Sequence, residues 1–248
     1  MRFRRTLVSL AAGGMLCSAT APAAADAISP PKIQPFDECS AADYQNDPRL
    51  GPAKLPFFGD VGDEVDDYSR TGGHSTDQFL GTWWDPSASF SPFPSIPGNW
   101  IFPPADGYYI NPDGSPVRTK VSLVPGQRID RFGLPRGSFL SPRGTDYENR
   151  SIPPSNLDDA ADPGDCNYHT YQVVREFRVF SGAIRPWFDQ PGNGLQYQVV
   201  CSLVPGATAS PRCNQTTGNL QVQYLLDKKY LVEVPTDDRI VRPAGPPR

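Results

Sequence analysis

Lys120-Val121-Ser122-Leu123-Val124-Pro125-Gly126-Gln127-Arg128-Ile129-Asp130-Arg131-Phe132-Gly133 decides how this chain is read. A strand-like apolar run, a Pro-Gly turn and a second run of mixed polarity describe two strands joined by a tight connection. The period of two returns at Tyr168 to Val174, where His169, Tyr171 and Val173 oppose Tyr168, Thr170 and Gln172. Phe177 to Phe180, Tyr197 to Leu203, Leu220 to Leu226 and Lys229 to Val234 read as further strands, with Ser138 to Ser141 a short extended piece. Helix signals are few; Pro154 to Asp159 starts one, with Ser155 as its N-cap. The expected class is α+β and predominantly β, a twisted antiparallel sheet with few short helices.

Outward from this body the chain changes character. Residues 28–118 have hardly any regular periodicity and interleave prolines with Trp83, Trp84, Phe90, Phe93, Trp100, Phe102, Tyr108 and Tyr109. Proline removes ladder donors, so such a segment builds no sheet of its own and instead buries aromatic area against a neighbour. It is read as an N-terminal arm packed on a body spanning 119–235, with 236–248 a frayed tail. Within the arm, Asp60 to Asp67 carries five carboxylates in eight residues without the full pattern of a calcium loop, and reads as a solvated acidic loop.

The first 27 residues read as a secretory signal: Arg2, Arg4 and Arg5, then an apolar stretch from Leu7 to Ala19, then small residues at Ala23 to Ala27. The apolar stretch is shorter than the roughly 20 residues a membrane span needs. Without the signal, which removes Arg2, Arg4, Arg5 and Asp26, the net charge moves from −4 to −6, and no Lys/Arg cluster offers a phosphate-backbone footprint, which argues against nucleic acid. Four cysteines remain, an even count that in an exported chain reads as two disulfides. Cys201 and Cys213 flank one polar loop and pair most easily with each other, leaving Cys39 to Cys166. Neither C-x-x-C nor His-rich spacing occurs, which argues against structural zinc.

A second stretch, Arg185-Pro186-Trp187-Phe188-Asp189-Gln190-Pro191-Gly192-Asn193-Gly194-Leu195-Gln196-Tyr197, sets two aromatics beside a Pro-Gly-Asn-Gly turn and then re-enters a strand with one amide, Gln196. Gln196 is expected at the rim of the sheet, facing a cleft whose other wall is Arg128 to Gly133. Dinucleotide fingerprints, P-loops, nucleophile elbows and H-E-x-x-H are absent from the sequence. His74 reads as a surface residue, and His169 as a structural histidine within an alternating strand.

Residues 126–234 resemble the tuberculosis necrotizing toxin (TNT) family of NAD glycohydrolases. The resemblance is carried by Gly126 to Gly133, Gly137-Ser138-Phe139-Leu140-Ser141-Pro142, Gly144-Thr145 and Tyr147 to Pro154. It continues through Tyr168 to Val173, Pro186-Trp187-Phe188 with Gln190-Pro191-Gly192, Gln196-Tyr197 and Tyr230 to Val234. The arm and cysteines look like those of secreted fungal-surface members. The resemblance implies cleavage of the nicotinamide–ribose bond of NAD or NADP. It puts Gln196, Arg131 and His169 in catalytic positions, and Phe139, Arg150 and Trp187 in substrate-binding ones. Phe139 stands where toxin members can carry tyrosine. NAD is then the substrate and no cofactor is required; structural calcium, a homodimer and an immunity-type protein are the partners it admits.

The residue chemistry suits that substrate. A pyrophosphate matches the guanidinium forks of Arg131 and Arg150, flat rings match Phe139 or Trp187, and an amide at Gln196 can hold the ribose. Three rivals stand beside it, one of them an inactive relative serving as a surface or immunity-type partner. A transferase or cyclase on the same donor requires a glutamate within reach of Gln196. A glycan-binding module requires an exposed row of Trp83, Trp84 and Trp100.

Overall fold

The computed structural model describes residues 38–158 and 161–236. The signal, the start of the arm and most of the tail lie outside these residues. Two 3₁₀ turns, Tyr44–Asn46 and Pro48–Leu50, precede α1 (Gly59–Val65) and α2 (Thr76–Trp83), followed by the short strands β1 (Trp84–Asp85) and β2 (Asn99–Trp100). The body contributes β3 (Thr119–Leu123), β4 (Arg128–Phe132), β5 (Phe139–Pro142), β6 (Tyr168–Val173), β7 (Phe177–Ala183) and β8 (Leu195–Gln198). It ends with α3 (Val222–Asp227) and β9 (Leu231–Val234).

These seven body strands form one sheet in the order β3-β7-β8-β5-β4-β6-β9, antiparallel throughout. Alternation sends Leu123, Ile129, Leu140, Tyr171, Val173, Phe177 and Val179 into one core, which α3 covers with Val222, Tyr224 and Leu225. We call this side the α3 face. Phe132 and Tyr168, one residue out of phase, point the other way and pack with Tyr147, Leu157 and the Val61 and Val65 side chains of α1. That side is the α1 face. A strand's side chains alternate strictly between the two, so register alone assigns each candidate residue to a face.

Four expected elements differ, the first being the helix expected from Pro154, which is a short 3₁₀ turn, Pro154–Leu157, with Pro153 and not Ser155 at its N-cap. Leu220 to Leu226 is not a strand: its apolar residues at 222, 225 and 226 also satisfy helical spacing, and α3 places two of them in the core. The carbonyls of Gly137 and Pro135 accept from the free amides of Val222 and Gln223 at its start. The acidic run is a helix, α1, because Asp60 pairs with Arg143 at 2.5 Å and Glu64 with Arg150 at 2.7 Å. The strand expected over Tyr197 to Leu203 stops at Gln198 and turns into a 3₁₀ segment, Cys201–Leu203. The arm also holds α2, whose signal was present in the sequence: Ser75 and Gln78 form a capping box.

Only part of the arm's aromatics are buried as expected: Phe90 and Phe102 are 69% and 57% exposed, while Phe79, Trp84, Trp100 and Tyr108 are packed. Leu50, Phe79, Trp84 and Trp100 surround Phe188 from the second candidate stretch. The arm is tied down covalently by Cys39–Cys166, with Cα atoms 5.2 Å apart, and the second disulfide is Cys201–Cys213 at 5.8 Å. Both pairings match the sequence expectation. Replacing Cys201 and Cys213 with serine is expected to lower stability by about 2 kcal/mol, since a short closed loop constrains the unfolded chain modestly. Denaturant titration measures it, and an unchanged midpoint would contradict it.

Candidate active site

Of the residues expected to act together, the sheet joins Phe139 and Gln196 on the α1 face. Phe139 lies opposite Gln198 across the β5–β8 ladder, and Gln196 is two residues along the same side of β8. Opposite Gln196 on β7 is Gly182, where a Cβ would approach the Val117 carbonyl oxygen to 2.5 Å and the ring of Tyr108 to 2.8 Å. The missing side chain therefore admits Tyr108. The Gln196 amide donates to the Asp106 carbonyl at 2.8 Å and is 7% exposed. Gln198 donates to the Asp106 carboxylate at 3.0 Å and to the Asn219 amide oxygen at 2.7 Å, and its own oxygen accepts from Arg118. Arg118 lies over the Phe180 ring at 4.0 Å, with the Asp106 carboxylate 3.8 Å away.

Arg131 and His169 are partners in the β4–β6 ladder and lie on the α3 face, on the far side of the sheet from Gln196. A cleft between residues 128–133 and 185–197 cannot bring Arg131 to Gln196, because strand register puts the two side chains on opposite faces of the sheet. The Arg131 guanidinium donates to the carbonyls of Gly133, Leu134 and Phe139 at 2.7–3.0 Å. It bears on Gly137 so closely that a Cβ there would lie 1.9 Å from a guanidinium nitrogen. Burial lowers its pKa to about 10. His169 shares its Nδ1 with the Glu233 carboxylate at 2.7 Å and stacks near-parallel on Tyr171. Its Nε2 and the Tyr171 hydroxyl are both buried without a hydrogen-bond partner. Arg131 braces the 133–137 loop and His169 joins β6 to β9, and neither meets Gln196.

Arg150 faces the correct side but is not available to a ligand. Its guanidinium bonds Asp130 at 2.7 Å, Glu64 at 2.7 Å and the Thr145 carbonyl at 2.6 Å and 2.9 Å, and its side chain is 4% exposed. The Tyr168 hydroxyl closes the cluster, 2.7 Å from Glu64 and 2.9 Å from Asp130. Burial opposes the charged guanidinium, and the two carboxylates more than offset it, raising its pKa. Two acids on one cation leave one of them short of charge compensation. Burial pushes Glu64 up to about 8, with Asp130 adding to the rise and Arg150 opposing it.

The folded protein therefore keeps a proton that the unfolded chain releases near 4.5. The associated stability is complete below that pH and is lost as the pH climbs toward 8. Thermal unfolding midpoints are expected to fall between about pH 5 and pH 8, and Glu64→Gln, which mimics the protonated acid, is expected to flatten that fall. Parallel pH profiles for the two proteins would contradict the assignment.

Trp187 belongs to the arm contact and not to the Gln196 surface. Its indole donates to the Ile101 carbonyl at 2.6 Å, and its ring centroid is 5.0 Å from that of Trp83. Trp84 and Trp100 are 6% and 5% exposed, so the exposed tryptophan row required of a glycan-binding module is not there. His74 is exposed, as expected, and lies 4.0 Å from Asp189. Among the described residues no group of three or more His, Cys, Asp or Glu side chains is placed to hold a metal, so calcium gains no ligand set. None of their helices is long and apolar enough to cross a membrane.

Two cavities are formed away from the expected residues. One, of about 530 Å³, lies between Tyr44, Tyr68, Arg70 and the start of α2. The other, of about 330 Å³, is lined by Arg118 and Phe180 and continues the Gln196–Gln198 row. Sequence reasoning missed Arg118, Asp106 and Gln198. Gln198 had a signal: two residues after Gln196 in an extended run, it had to share a face with it.

Comparison with known proteins adds the following. The sequence profile of the tuberculosis necrotizing toxin family matches residues 122–234. The conidial surface nicotinamide adenine dinucleotide glycohydrolase nadA of Aspergillus fumigatus is 38% identical over 178 residues, covering 69% of this chain and 73% of that protein. The solved tuberculosis necrotizing toxin in complex with its immunity factor aligns over 83% of this chain and 98% of its own, at 17% identity and a TM-score of 0.45. On the relatedness to nadA, with the family profile over residues 122–234, the chain belongs to the tuberculosis necrotizing toxin family.

Proposed function

We propose that this protein is an exported NAD glycohydrolase that releases nicotinamide from NAD or NADP on the α1 face of its sheet, beside Gln196. The observation that carries the reading is the 38% identity to a protein named for that activity, sustained over 178 residues. Two disulfides, the basic and apolar N-terminus and the surface location in the relative's name support export.

The reaction asks little of the protein in acid–base terms. When the C1′–N bond of NAD breaks, its electron pair moves onto the pyridinium nitrogen and neutralises it, so the leaving group needs no proton. Positive charge passes to the ribose, and water attacks C1′ and loses its proton to solvent. A pair of carboxylates of the kind used by glycosidases is not required. What the protein supplies is position and a polar environment. Gln196, fixed by Asp106, presents its amide to the ribose, and Phe139 offers a ring face beside the nicotinamide.

The sibling readings, transferase and cyclase, asked for a glutamate near Gln196. The acid in this row is Asp106, and Gln198 and Arg118 already engage its carboxylate. Incubation of the purified protein with etheno-NAD is expected to raise fluorescence steadily as the nicotinamide quencher leaves. A flat trace from folded wild-type protein would remove the enzymatic reading.

A further inference from the structure

The row of side chains that begins at Gln196 does not stop at Gln198. Arg118 and Phe180 flank Gln198, and both also line the 330 Å³ cavity at the end of β8. Gln198, which Arg118 bonds at the cavity's edge, lies two residues from Gln196 on the same face, about 7 Å along the strand and within the span of an extended dinucleotide. The lining carries one cation, an aromatic ring, the hydroxyls of Ser202, Thr208 and Thr217 and the amide of Asn214, and it includes no carboxylate. Its size is at the low end for small-molecule sites, suited to one nucleoside and not to a whole dinucleotide.

The rim is built to hold its shape. Cys201–Cys213 closes it covalently, and the Cys201 amide donates to the Gly218 carbonyl at 2.9 Å. Asn214 accepts from the amides of Thr216 and Thr217 at 2.9 and 3.0 Å, fixing the turn on the opposite side. A rim fixed before binding loses little entropy when a ligand enters.

We propose that this disulfide-stapled cavity takes the adenosine half of the substrate, with Arg118 meeting the diphosphate between it and Gln196. The inference rests on the NAD reading above and assigns to Arg118 the phosphate contact that Arg150, 4% exposed, is too enclosed to make and that Arg131, on the α3 face, cannot reach. A guanidinium 4.0 Å over Phe180 offers a flat, cationic surface to a purine and two donors to a phosphate. The cavity then sets affinity for the whole dinucleotide while the bond that breaks lies elsewhere.

The test compares NAD with nicotinamide mononucleotide, which has the scissile bond but no adenosine. Ser202 is exposed on the cavity wall, so Ser202→Trp fills the space without disturbing the core. This variant is expected to raise KM for NAD about tenfold while kcat/KM for the mononucleotide stays within about twofold. Arg118→Gln is expected to raise KM for NAD similarly. AMP is expected to inhibit the wild type competitively and to lose that effect in Ser202→Trp, a readout that does not need mononucleotide turnover. An unchanged KM for NAD in both variants, or AMP inhibition untouched by Ser202→Trp, would overturn the inference and leave the NAD reading standing. Wild-type protein inert toward both substrates would sink the NAD reading, and this inference with it.

Discussion

Arg150→Met is expected to destabilise the protein by about 3–5 kcal/mol, the usual result of removing one member of a buried charge cluster. The lost attraction is the smaller part. Glu64 and Asp130 would remain, 3% and 0% exposed, with their shared cation gone and only the Tyr168 hydroxyl and the Gly144 amide still donating to them. The two ends of the cluster come from α1 and β4, and Arg150 also holds the Thr145 carbonyl, so the loss would loosen the arm and the 145–150 segment together. Adding Glu64→Gln to Arg150→Met is expected to change stability little near neutral pH, where Glu64 already holds its proton, and to recover part of it only at the higher pH where that acid would ionise without a cation. Denaturant midpoints measure both. An Arg150→Met protein as stable as wild type but inactive would mean that this arginine serves the substrate and not the fold.

Gln196→Ala is expected to lower kcat/KM for NAD by about 10²–10³, the scale seen when one oriented donor at a reacting centre is removed. Its stability cost is expected to be only about 1 kcal/mol, since one hydrogen bond, to the Asp106 carbonyl, is lost. That split between activity and stability is the point of the experiment. Gln196→Glu separates position from charge: it keeps the reach and replaces a donor with a carboxylate. Restored activity in it would show that the group's acceptor side matters. Wild-type rates from Gln196→Ala, with the fold intact, would move the site away from this face.

The sheet was legible in the sequence because alternation is a local signal. Residues 168–173 carry it so plainly that strand, register parity and buried side follow from the letters. α3 was not legible, since Leu220 to Leu226 fits a period of two as well as a helical spacing, and only the core available above the sheet chooses. The acidic run misled for a related reason. Asp60 and Glu64 look solvated until Arg143 and Arg150, more than 80 residues later in the chain, are brought to them. The site suffered most. Arg131 and Gln196 sit in blocks of the same family resemblance, but one residue of strand phase puts them on opposite faces. Phase within a strand is readable from sequence; phase between β4 and β8 depends on β5 and its register, which no local pattern supplies.

The account stands on the substrate lying along the α1 face, from Gln196 past Gln198 to Arg118. A crystal structure with a hydrolysis-resistant NAD analogue, its ribose oxygen replaced by carbon, tests that most directly. The nicotinamide ribose is predicted within hydrogen-bonding distance of Gln196, with the diphosphate toward Arg118. An analogue found instead on the α3 face, with Arg131, His169 Nε2 and the Tyr171 hydroxyl as its partners, would contradict it.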